Sequence, residues 1–247
     1  MKQSKLIYGT HSLLEALEAG KEIDKIFIRR GLKTEETQRI LSLARERIIP
    51  VQSVPVEKLD RITSRNHQGI LAFLAEIEYT SLEQLIPLLY EEGRMPFFVL
   101  LDGITDVRNF GAIARTAECA GADAIIIPDR GSVSVTGDAI KTSSGALHRL
   151  PVCRVNSIPQ TIRTLQENGI RVVTASEKAS TLYTEEHLTP PIAIVMGNEE
   201  VGPSEETLRL SDSLARIPQA GNIGSLNVSV AAGIMLYEVV RQTNLTK

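Results

Sequence analysis

The chain of 247 residues has only two cysteines, no tryptophan, few other aromatic residues and no long apolar run. Cys119 and Cys153 lack the spacing of metal ligands, and we interpret both as reduced core or near-core residues. No apolar run approaches the roughly 20 residues that cross a bilayer, and the first residues lead into no apolar signal segment. These absences predict a cytoplasmic protein without a membrane partner.

Sequence motifs of several common enzyme classes are also absent. The second half has no Gly-x-Gly-x-x-Gly after its first predicted strand, which argues against a dinucleotide-binding enzyme. The chain contains no phosphate-binding Gly-x-x-x-x-Gly-Lys-Ser/Thr loop, no Gly-x-Ser-x-Gly elbow and no His-Glu-x-x-His zinc motif. The histidines are scattered, so we interpret them as ordinary surface or core residues and expect no metal: His11, His67, His148 and His187.

The charge of the chain is slightly negative and unevenly distributed. A net charge of −3 argues against a strong field for nucleic acid over the whole molecule. Residues 1–80 carry 13 Lys and Arg against 11 Asp and Glu, whereas the remainder carries 14 against 19. This asymmetry favours the N-terminal part for any RNA-facing surface; the alternative is a solvated surface of mixed charge.

Residues 1–76 are predicted to form a small α/β sandwich, which is large enough to be an independent domain. Thr10 and Thr34 are predicted helix caps. The predicted helices are 10–19, 34–47 and 57–63, and the predicted strands are 25–29, 51–54 and 70–74. Residues 77–95 then form a linker, up to Thr80, and a helix that Ser81 caps.

Residues 96–247 are predicted to form a second α/β domain. The fully apolar run Phe97–Leu101 is typical of a strand that is buried on both faces. The predicted strands are 97–101, 124–127, 152–155, 171–174 and 192–196, and the predicted helices are 109–120, 157–168 and 228–241. This alternation predicts a parallel sheet with helices on both faces.

Three polar segments that contain glycine lie where a ligand site is expected. Ligands of open parallel sheets gather beyond the carboxyl ends of the strands. Asp102–Arg115 follows one predicted strand, Gly197–Gly202 follows another, and Ile217–Ser229 leads directly into an apolar helix. Such a loop suits a pocket lined by backbone N–H groups. The alternative is an ordinary helix N-terminus capped by Ser225 or Asn227.

Asn109, Arg115 and Glu199 are the polar side chains of these segments that need an explanation. Asn109 and Arg115 are six positions apart on one predicted helix, so they project in different directions. Arg115 follows an apolar turn, and a charge there needs a partner or a ligand. The sequence allows a structural ion pair with Glu199, which itself could act as a base, an anchor or a surface carboxylate.

The three segments together resemble the motifs of a known family. Residues 109–117 (NFGAIARTA), 194–199 (IVMGNE) and 217–229 (IPQAGNIGSLNVS) resemble the three motifs of the SpoU (TrmH-like) RNA ribose 2′-O-methyltransferases. Their order and spacing agree with that family, and residues 141–151 resemble its linking segment. The third motif is the most specific of the three.

The N-terminal part carries a finer resemblance. Residues 8–17 (YGTHSLLEAL) and 67–70 (HQGI) are similar to the L30e-like RNA-binding extension of the 23S rRNA guanosine 2′-O-methyltransferases in that family. Related tRNA enzymes generally lack this extension. The chain departs from the family at Asp106-Val107-Arg108, where many members have Asp-Pro-His, and this departure bears on RNA specificity.

The resemblance implies a fold, a reaction and a set of site residues. The implied fold is an α/β protein with an N-terminal L30e-like sandwich (1–76) and a C-terminal SPOUT domain (96–247), a parallel-sheet domain with a deep trefoil knot. The implied reaction is methyl transfer from S-adenosylmethionine to a ribose 2′-hydroxyl of RNA, without a metal. The implied catalytic residues are Asn109, Arg115, Glu199, Ser225 and Asn227, and the implied cofactor-binding residues are Gly197, Asn198, Ile217 and Leu226.

The expected partners follow from the same resemblance, and alternatives remain open. We expect a homodimer that acts on 23S rRNA, with no DNA partner. One alternative keeps the chemistry but acts on tRNA or another rRNA site. A second alternative is a non-enzymatic RNA-binding protein of ribosome assembly, and the retained polar site residues argue against it. The apolar residues of helix 228–241 serve either the core or a dimer interface.

Overall fold

The computed structural model describes residues 6–245, which divide into two compact units between Glu78 and Tyr79. Each unit has its own sheet. No helix within residues 6–245 is both long and apolar enough to span a membrane.

Unit 1 is a four-stranded mixed sheet with helices on both faces. Its elements are β1 (Leu6–Tyr8), α1 (Thr10–Glu18), β2 (Ile23–Arg29), α2 (Glu35–Glu46), β3 (Val51–Val54), α3 (Val56–Ile62) and β4 (Ile70–Leu74). The sheet order is β1-β4-β2-β3, in which only β2 and β3 pair in parallel. Helices α1 and α2 pack on one face of the sheet and α3 packs on the other, which gives two separate apolar clusters.

The ends of the unit 1 helices follow the predicted capping chemistry in one case and depart from it in another. Thr34 caps α2, because its side chain accepts a hydrogen bond from Thr37 N at 3.2 Å. Thr10 is the first residue of α1, and not its cap; Gly9 occupies the cap position with φ 89°. Gln68 Oε1 accepts from Thr10 N at 3.2 Å, so a side chain from a distant loop replaces the local cap.

Unit 2 is an eight-stranded parallel sheet. Its strands are β5 (Tyr79–Thr80), β6 (Phe97–Asp102), β7 (Ala124–Pro128), β8 (Val152–Val155), β9 (Arg171–Ala175), β10 (Thr181–Leu182), β11 (Ile192–Gly197) and β12 (Ser213–Arg216). Its helices are α4 (Leu82–Glu91), α5 (Val107–Cys119), α6 (Gly137–Thr142), α7 (Ile158–Glu167), α8 (Glu205–Leu210) and α9 (Val228–Leu245). The strand order is β10-β12-β9-β11-β6-β7-β8-β5, so β6 and β11 are central neighbours.

The parallel sheet with flanking helices confirms the predicted fold class, and several short elements correct the prediction. Strand β5 begins at Tyr79 and pairs with β8, although the sequence predicted a linker there. Strands β10 and β12 and helices α6 and α8 were not predicted either. Strand β10 has two residues and the two helices have six each, which is too short for a hydrophobic period, and β12 (SLAR) contains no apolar run that marks a strand.

The two free cysteines have different environments. Cys153 lies on β8 in the core of unit 2, where burial raises the pKa of its thiol to about 12. Cys119 is the last residue of α5 and is exposed, so the prediction of a core or near-core position is wrong for this residue. Cys119 lies one helical turn after the exposed Arg115, outside the stripe of α5 that is buried at Phe110, Ile113 and Ala117.

Candidate active site

Strands β6 and β11 end side by side, and their loops are tied together by hydrogen bonds. The register pairs Asp102 with Gly197, so both loops leave the same edge of the sheet. Asp102 Oδ2 accepts from Ser204 N at 2.9 Å and from Thr207 Oγ1 at 2.7 Å. Asn198 Nδ2 donates to Gly103 O at 2.9 Å, which closes the other side of the junction. The position of the Gly197–Gly202 segment is therefore fixed by the β6 loop.

Asn227 connects all three polar segments. Its Nδ2 donates to Asn109 Oδ1 at 3.0 Å and to Glu199 Oε1 at 2.6 Å. Its Oδ1 accepts from Ser229 N at 3.0 Å and from Ser229 Oγ at 2.5 Å. Glu199 Oε1 also accepts from Val228 N at 3.3 Å. Asn227 therefore caps α9 with its amide oxygen, as one hypothesis from the sequence predicted. With its amide nitrogen it also joins Asn109 and Glu199 beside the candidate site.

A cavity of about 270 Å³ lies beside this junction. Its walls include Met196, Ile217, Leu226 and Val228, which are apolar, while its rim carries acidic side chains. Six of the predicted site residues line it: Gly197, Asn198, Glu199, Ile217, Ser225 and Leu226. Pockets for small molecules occupy about 300–1,000 Å³, so this cavity is close to the lower end of that range.

Gly197, which lines the cavity, packs directly against the backbone of Gly202 and Pro203. A Cβ at this position would lie 2.1 Å from Pro203 N and 2.5 Å from Gly202 C. Real Cβ atoms do not approach a backbone so closely, so only glycine fits without a shift of the Gly202–Pro203 turn. The glycine thus lets two backbone segments meet at the cavity.

Asn109 and Arg115, both on α5, differ in burial and in hydrogen bonding. Asn109 is half-buried in the first turn of α5 and bonds to Asn227. Arg115 is exposed, and its side chain makes no hydrogen bond or ion pair with any other residue from 6 to 245. Glu199 bonds to Asn227 and Val228, and not to Arg115, so the structure offers no support for the ion-pair alternative. Neither Asn109, Arg115 nor Asn227 lines the cavity wall.

The loop clamp made by Asp102, Ser204 and Thr207 was not predicted. Ser204 caps α8 by accepting from Thr207 N at 3.2 Å, with Glu205 and Glu206 in the first turn of the helix. A serine followed by two acidic residues is a helix-start signal that was available in the sequence. The carboxylate of Asp102 carried no such signal, because its partners lie more than 100 positions away.

Within residues 6–245, no group of three or more His, Cys, Asp and Glu side chains is arranged to hold a metal ion. The polar groups at the junction are amides, hydroxyls and carboxylates that bond to one another. These bonds fix the orientation of the side chains, and so the junction is suited to orienting a polar substrate by hydrogen bonds.

Two family models match the chain and together cover nearly all of it. The SpoU rRNA Methylase family model matches residues 96–237. The model described as RNA 2′-O ribose methyltransferase substrate binding matches residues 6–80. The junction of β6, β11 and α9 lies within the first match.

Relatives and solved structures agree with these matches. A putative TrmH family tRNA/rRNA methyltransferase from Staphylococcus saprophyticus is 38% identical over 97% of this chain and 96% of its own. The crystal structure of an AdoMet-bound rRNA methyltransferase from Sinorhizobium meliloti is 29% identical, with a TM-score of 0.60, over 96% of this chain and 86% of that chain. The A. aeolicus TrmH/SpoU tRNA modifying enzyme is 27% identical, with a TM-score of 0.57, over 67% of this chain and 85% of that chain.

Proposed function

We propose that this chain, which belongs to the SpoU rRNA methylase family, methylates the ribose 2′-hydroxyl of a guanosine in 23S rRNA. It is an S-adenosylmethionine-dependent RNA methyltransferase. The observation that carries the proposal is that the three polar segments meet at Asn227. The cavity beside this meeting point is lined in part by the backbone of Gly197. We place the reaction in the cytoplasm.

The chemical character of the residues that line the cavity suits S-adenosylmethionine. Ile217 and Leu226 supply apolar contact for an adenine ring, while the backbone at Gly197 and Asn198 offers polar groups at close approach. The acidic rim includes Glu177, and negative charge favours a donor that carries a sulfonium and an ammonium group. These residues would hold the methyl donor, which supplies an already activated methyl group.

The fold proposal includes the trefoil knot implied by the resemblance. Strand β12 lies between β10 and β9, and the loop that follows it returns to the end of β11, where Ser225 and Leu226 share the cavity with Gly197. In the proposed arrangement the C-terminal segment is threaded to reach this position. The loop is open at its glycines, because a Cβ at Gly221 or Gly224 would meet nothing within 4 Å.

Methyl transfer requires that the ribose hydroxyl be oriented and made more nucleophilic. A bond would form between the 2′-oxygen and the methyl carbon while the sulfur–methyl bond breaks; sulfur keeps the bonding electron pair, which gives S-adenosylhomocysteine, and the hydroxyl proton passes to water or to a neighbouring RNA phosphate oxygen. Asn109 and Asn227 position the reacting groups, Glu199 fixes Asn227, and Ser225 offers a hydroxyl at the cavity. Arg115 binds a phosphate or stabilises the developing alkoxide, because arginine keeps its proton and makes a poor base.

The proposed enzyme is a homodimer. The core-facing residues of α9, among them Ala232, Met235 and Val239, are buried within unit 2. Val230 and Tyr237, two turns apart on the same helix, remain 52% and 51% exposed. Apolar side chains exposed at this spacing suit a partner surface, and α5 with the unpaired Arg115 packs against α9. A second copy would thus lie next to the arginine.

The preference for 23S rRNA over tRNA rests on unit 1. This unit matches the substrate-binding model, and the rRNA methyltransferase of S. meliloti aligns over nearly the whole chain. The tRNA modifying enzyme of A. aeolicus aligns over only two thirds of it. The rRNA enzyme thus aligns with both units and the tRNA enzyme with only part of the chain. This difference supports rRNA as the substrate.

Transfer of labelled methyl groups tests the substrate. We expect label from S-adenosylmethionine in unmodified 23S rRNA, at a single guanosine 2′-oxygen, and none in unmodified tRNA assayed in parallel. Mapping of the 2′-O-methyl position identifies the nucleotide. Label in tRNA alone would contradict the rRNA assignment but keep the chemistry. The lack of label in both RNAs, with no binding of S-adenosylmethionine by calorimetry, would contradict the reaction itself.

Deletion of residues 1–76 tests the role of unit 1. Because unit 2 has its own sheet and core, we expect the remaining chain to fold and to bind S-adenosylmethionine as the full chain does. Its affinity for the RNA should fall, which filter binding and calorimetry measure separately. Undiminished turnover at low RNA concentration would show that unit 1 does not recruit the substrate.

A further inference from the structure

The side of unit 1 that carries α3 presents basic side chains held over aromatic rings. Lys58 Nζ lies 4.8 Å from the centroid of the Phe27 ring. The Arg65 guanidinium carbon lies 5.3 Å from the Tyr8 ring centroid, and its Nη1 donates to Tyr8 Oη at 2.6 Å. Each of these cations is thus placed by a ring within the distance at which cation–π attraction acts.

These groups belong to one face of the sheet. The strand register aligns Tyr8 and Phe27 with Leu71, and it aligns Lys25 and Leu6 with Phe73 two positions along β4. Side chains two apart on a strand point to the same face. Lys25 Nζ accordingly lies 5.5 Å from the Phe73 ring and 5.8 Å from the Phe27 ring. We call this surface the α3 face: Tyr8, Lys25, Phe27, Lys58, Arg65 and Phe73.

Two cations of the α3 face, Lys58 and Arg65, are positioned by rings, which do not neutralise their charge. Lys58 and Arg65 have no carboxylate partner within the described part of the chain. Asp60, the neighbouring acidic residue on α3, is bound instead by His67 Nε2 at 2.9 Å. His67 Nδ1 accepts from Gly69 N at 3.0 Å, so Nε2 carries the proton that it donates to Asp60.

On the opposite face of unit 1, basic and acidic side chains lie together. There, α1 and α2 cover the sheet, and Arg39 on α2 pairs with Glu18 on α1 at 2.5 Å. Glu35 and Glu36 add negative charge at the start of α2. On the α3 face an anion would therefore meet two cations positioned by rings, Lys58 and Arg65, beside the exposed carboxylates of Glu57 and Asp60, whereas the other side is a surface of mixed charge.

We propose that the α3 face binds the phosphate–ribose backbone of the substrate RNA, with Lys58 and Arg65 at phosphate oxygens. This inference rests on the proposed RNA methyltransferase function and assigns the recruiting surface of unit 1 to particular side chains. Phosphate contacts dominate the affinity of proteins for nucleic acid and make it depend on salt. Cations held in place by rings lose little side-chain entropy on binding, which suits them to this role.

A charge-neutralising double variant tests the assignment. We expect Lys58→Gln with Arg65→Gln to raise the Kd for an unmodified 23S rRNA transcript about tenfold in filter binding. The slope of log K against log salt should become shallower by about 1.4–1.8, because two phosphate contacts are lost. The matched control, Arg45→Gln in the last turn of α2 with Arg47→Gln at its C-cap, removes the same charge from the opposite side and should change both quantities much less. Equal effects in the two double variants would overturn the α3 face as the contact surface.

A second variant tests the positioning by a ring. Tyr8→Leu removes the ring and hydroxyl beneath Arg65 but keeps an apolar side chain and the same charge. We expect weaker binding of the transcript with less change in the salt slope than in the double variant. An unchanged Kd would show that the ring does not prepare Arg65 for binding.

Methyl transfer by the wild-type chain, measured on the same transcript, separates the two proposals. Transfer together with an unaltered Kd in the Lys58→Gln, Arg65→Gln variant would overturn the α3 face and leave the reaction in place. Selective loss of binding in that variant, without any transfer by the wild type, would support the α3 face and overturn the reaction on 23S rRNA.

Discussion

Replacement of Arg115 by alanine is expected to lower the rate of methyl transfer about 10²–10³-fold, the loss typical when one group that stabilises developing charge is removed. Arg115 is exposed, lies outside the cavity wall and has no partner within residues 6–245. Its removal should therefore leave the binding of S-adenosylmethionine largely intact. Single-turnover transfer assays and calorimetry measure the two effects separately.

Arg163→Ala is the matched control for this variant. Arg163 is an exposed arginine on α7, and it does not line the cavity. Its loss should change neither transfer nor binding of the methyl donor. If Arg115→Ala weakened donor binding as much as transfer, the role of Arg115 would be structural, and the proposed part in the reaction would be wrong.

Gly197→Ala is expected to destabilise unit 2 and to abolish binding of the methyl donor. The added Cβ would lie 2.1 Å from Pro203 N and 2.4 Å from Pro203 Cδ, so the turn after β11 must move. Overpacking typically costs about 1–3 kcal/mol; because the clash is with backbone, we expect about 3 kcal/mol here, which corresponds to a decrease of about 6–12 °C in Tm for a chain of this size. Thermal unfolding monitored by circular dichroism and calorimetric titration measure these effects.

Gly221→Ala provides the control for the glycine variant. Gly221 lies in the loop between β12 and α9, and a Cβ there would meet nothing within 4 Å. This substitution should leave Tm and donor binding close to those of the wild type. Equal behaviour of the two alanine variants would show that the turn at Pro203 yields easily, and that the close approach at Gly197 is not required for the cavity.

Much of the fold could be predicted from the sequence because many elements carry local signals. Strands β3, β4 and β8 have the bounds that the sequence predicted. Ser81 caps α4, as predicted, by accepting from Gln84 N at 3.4 Å. Both the alternation of apolar residues and helix capping act within a few positions along the chain, so they can be recognised without tertiary information.

The geometry of the site was less accessible from the sequence. Asn227 bonds to Asn109 across 118 positions and to Glu199 across 28, and spacing alone predicts neither bond. The side chain of Gln68 replaces the predicted cap of α1 from 58 positions away. Such bonds depend on which loops the completed sheet places side by side, and strand order is a long-range property.

The sequence by itself determined the α/β class, the three polar segments and the residue types that the site contains, because propensity, period and motif are local. Only the tertiary structure decided how those residues are used. The pairing of β6 with β11 brings Asp102 beside Gly197, which places the loops so that Asn227 joins Glu199. Arg115 lies exposed on α5, while Glu199, the acceptor that the sequence offered for it, bonds to Asn227 and Val228 instead.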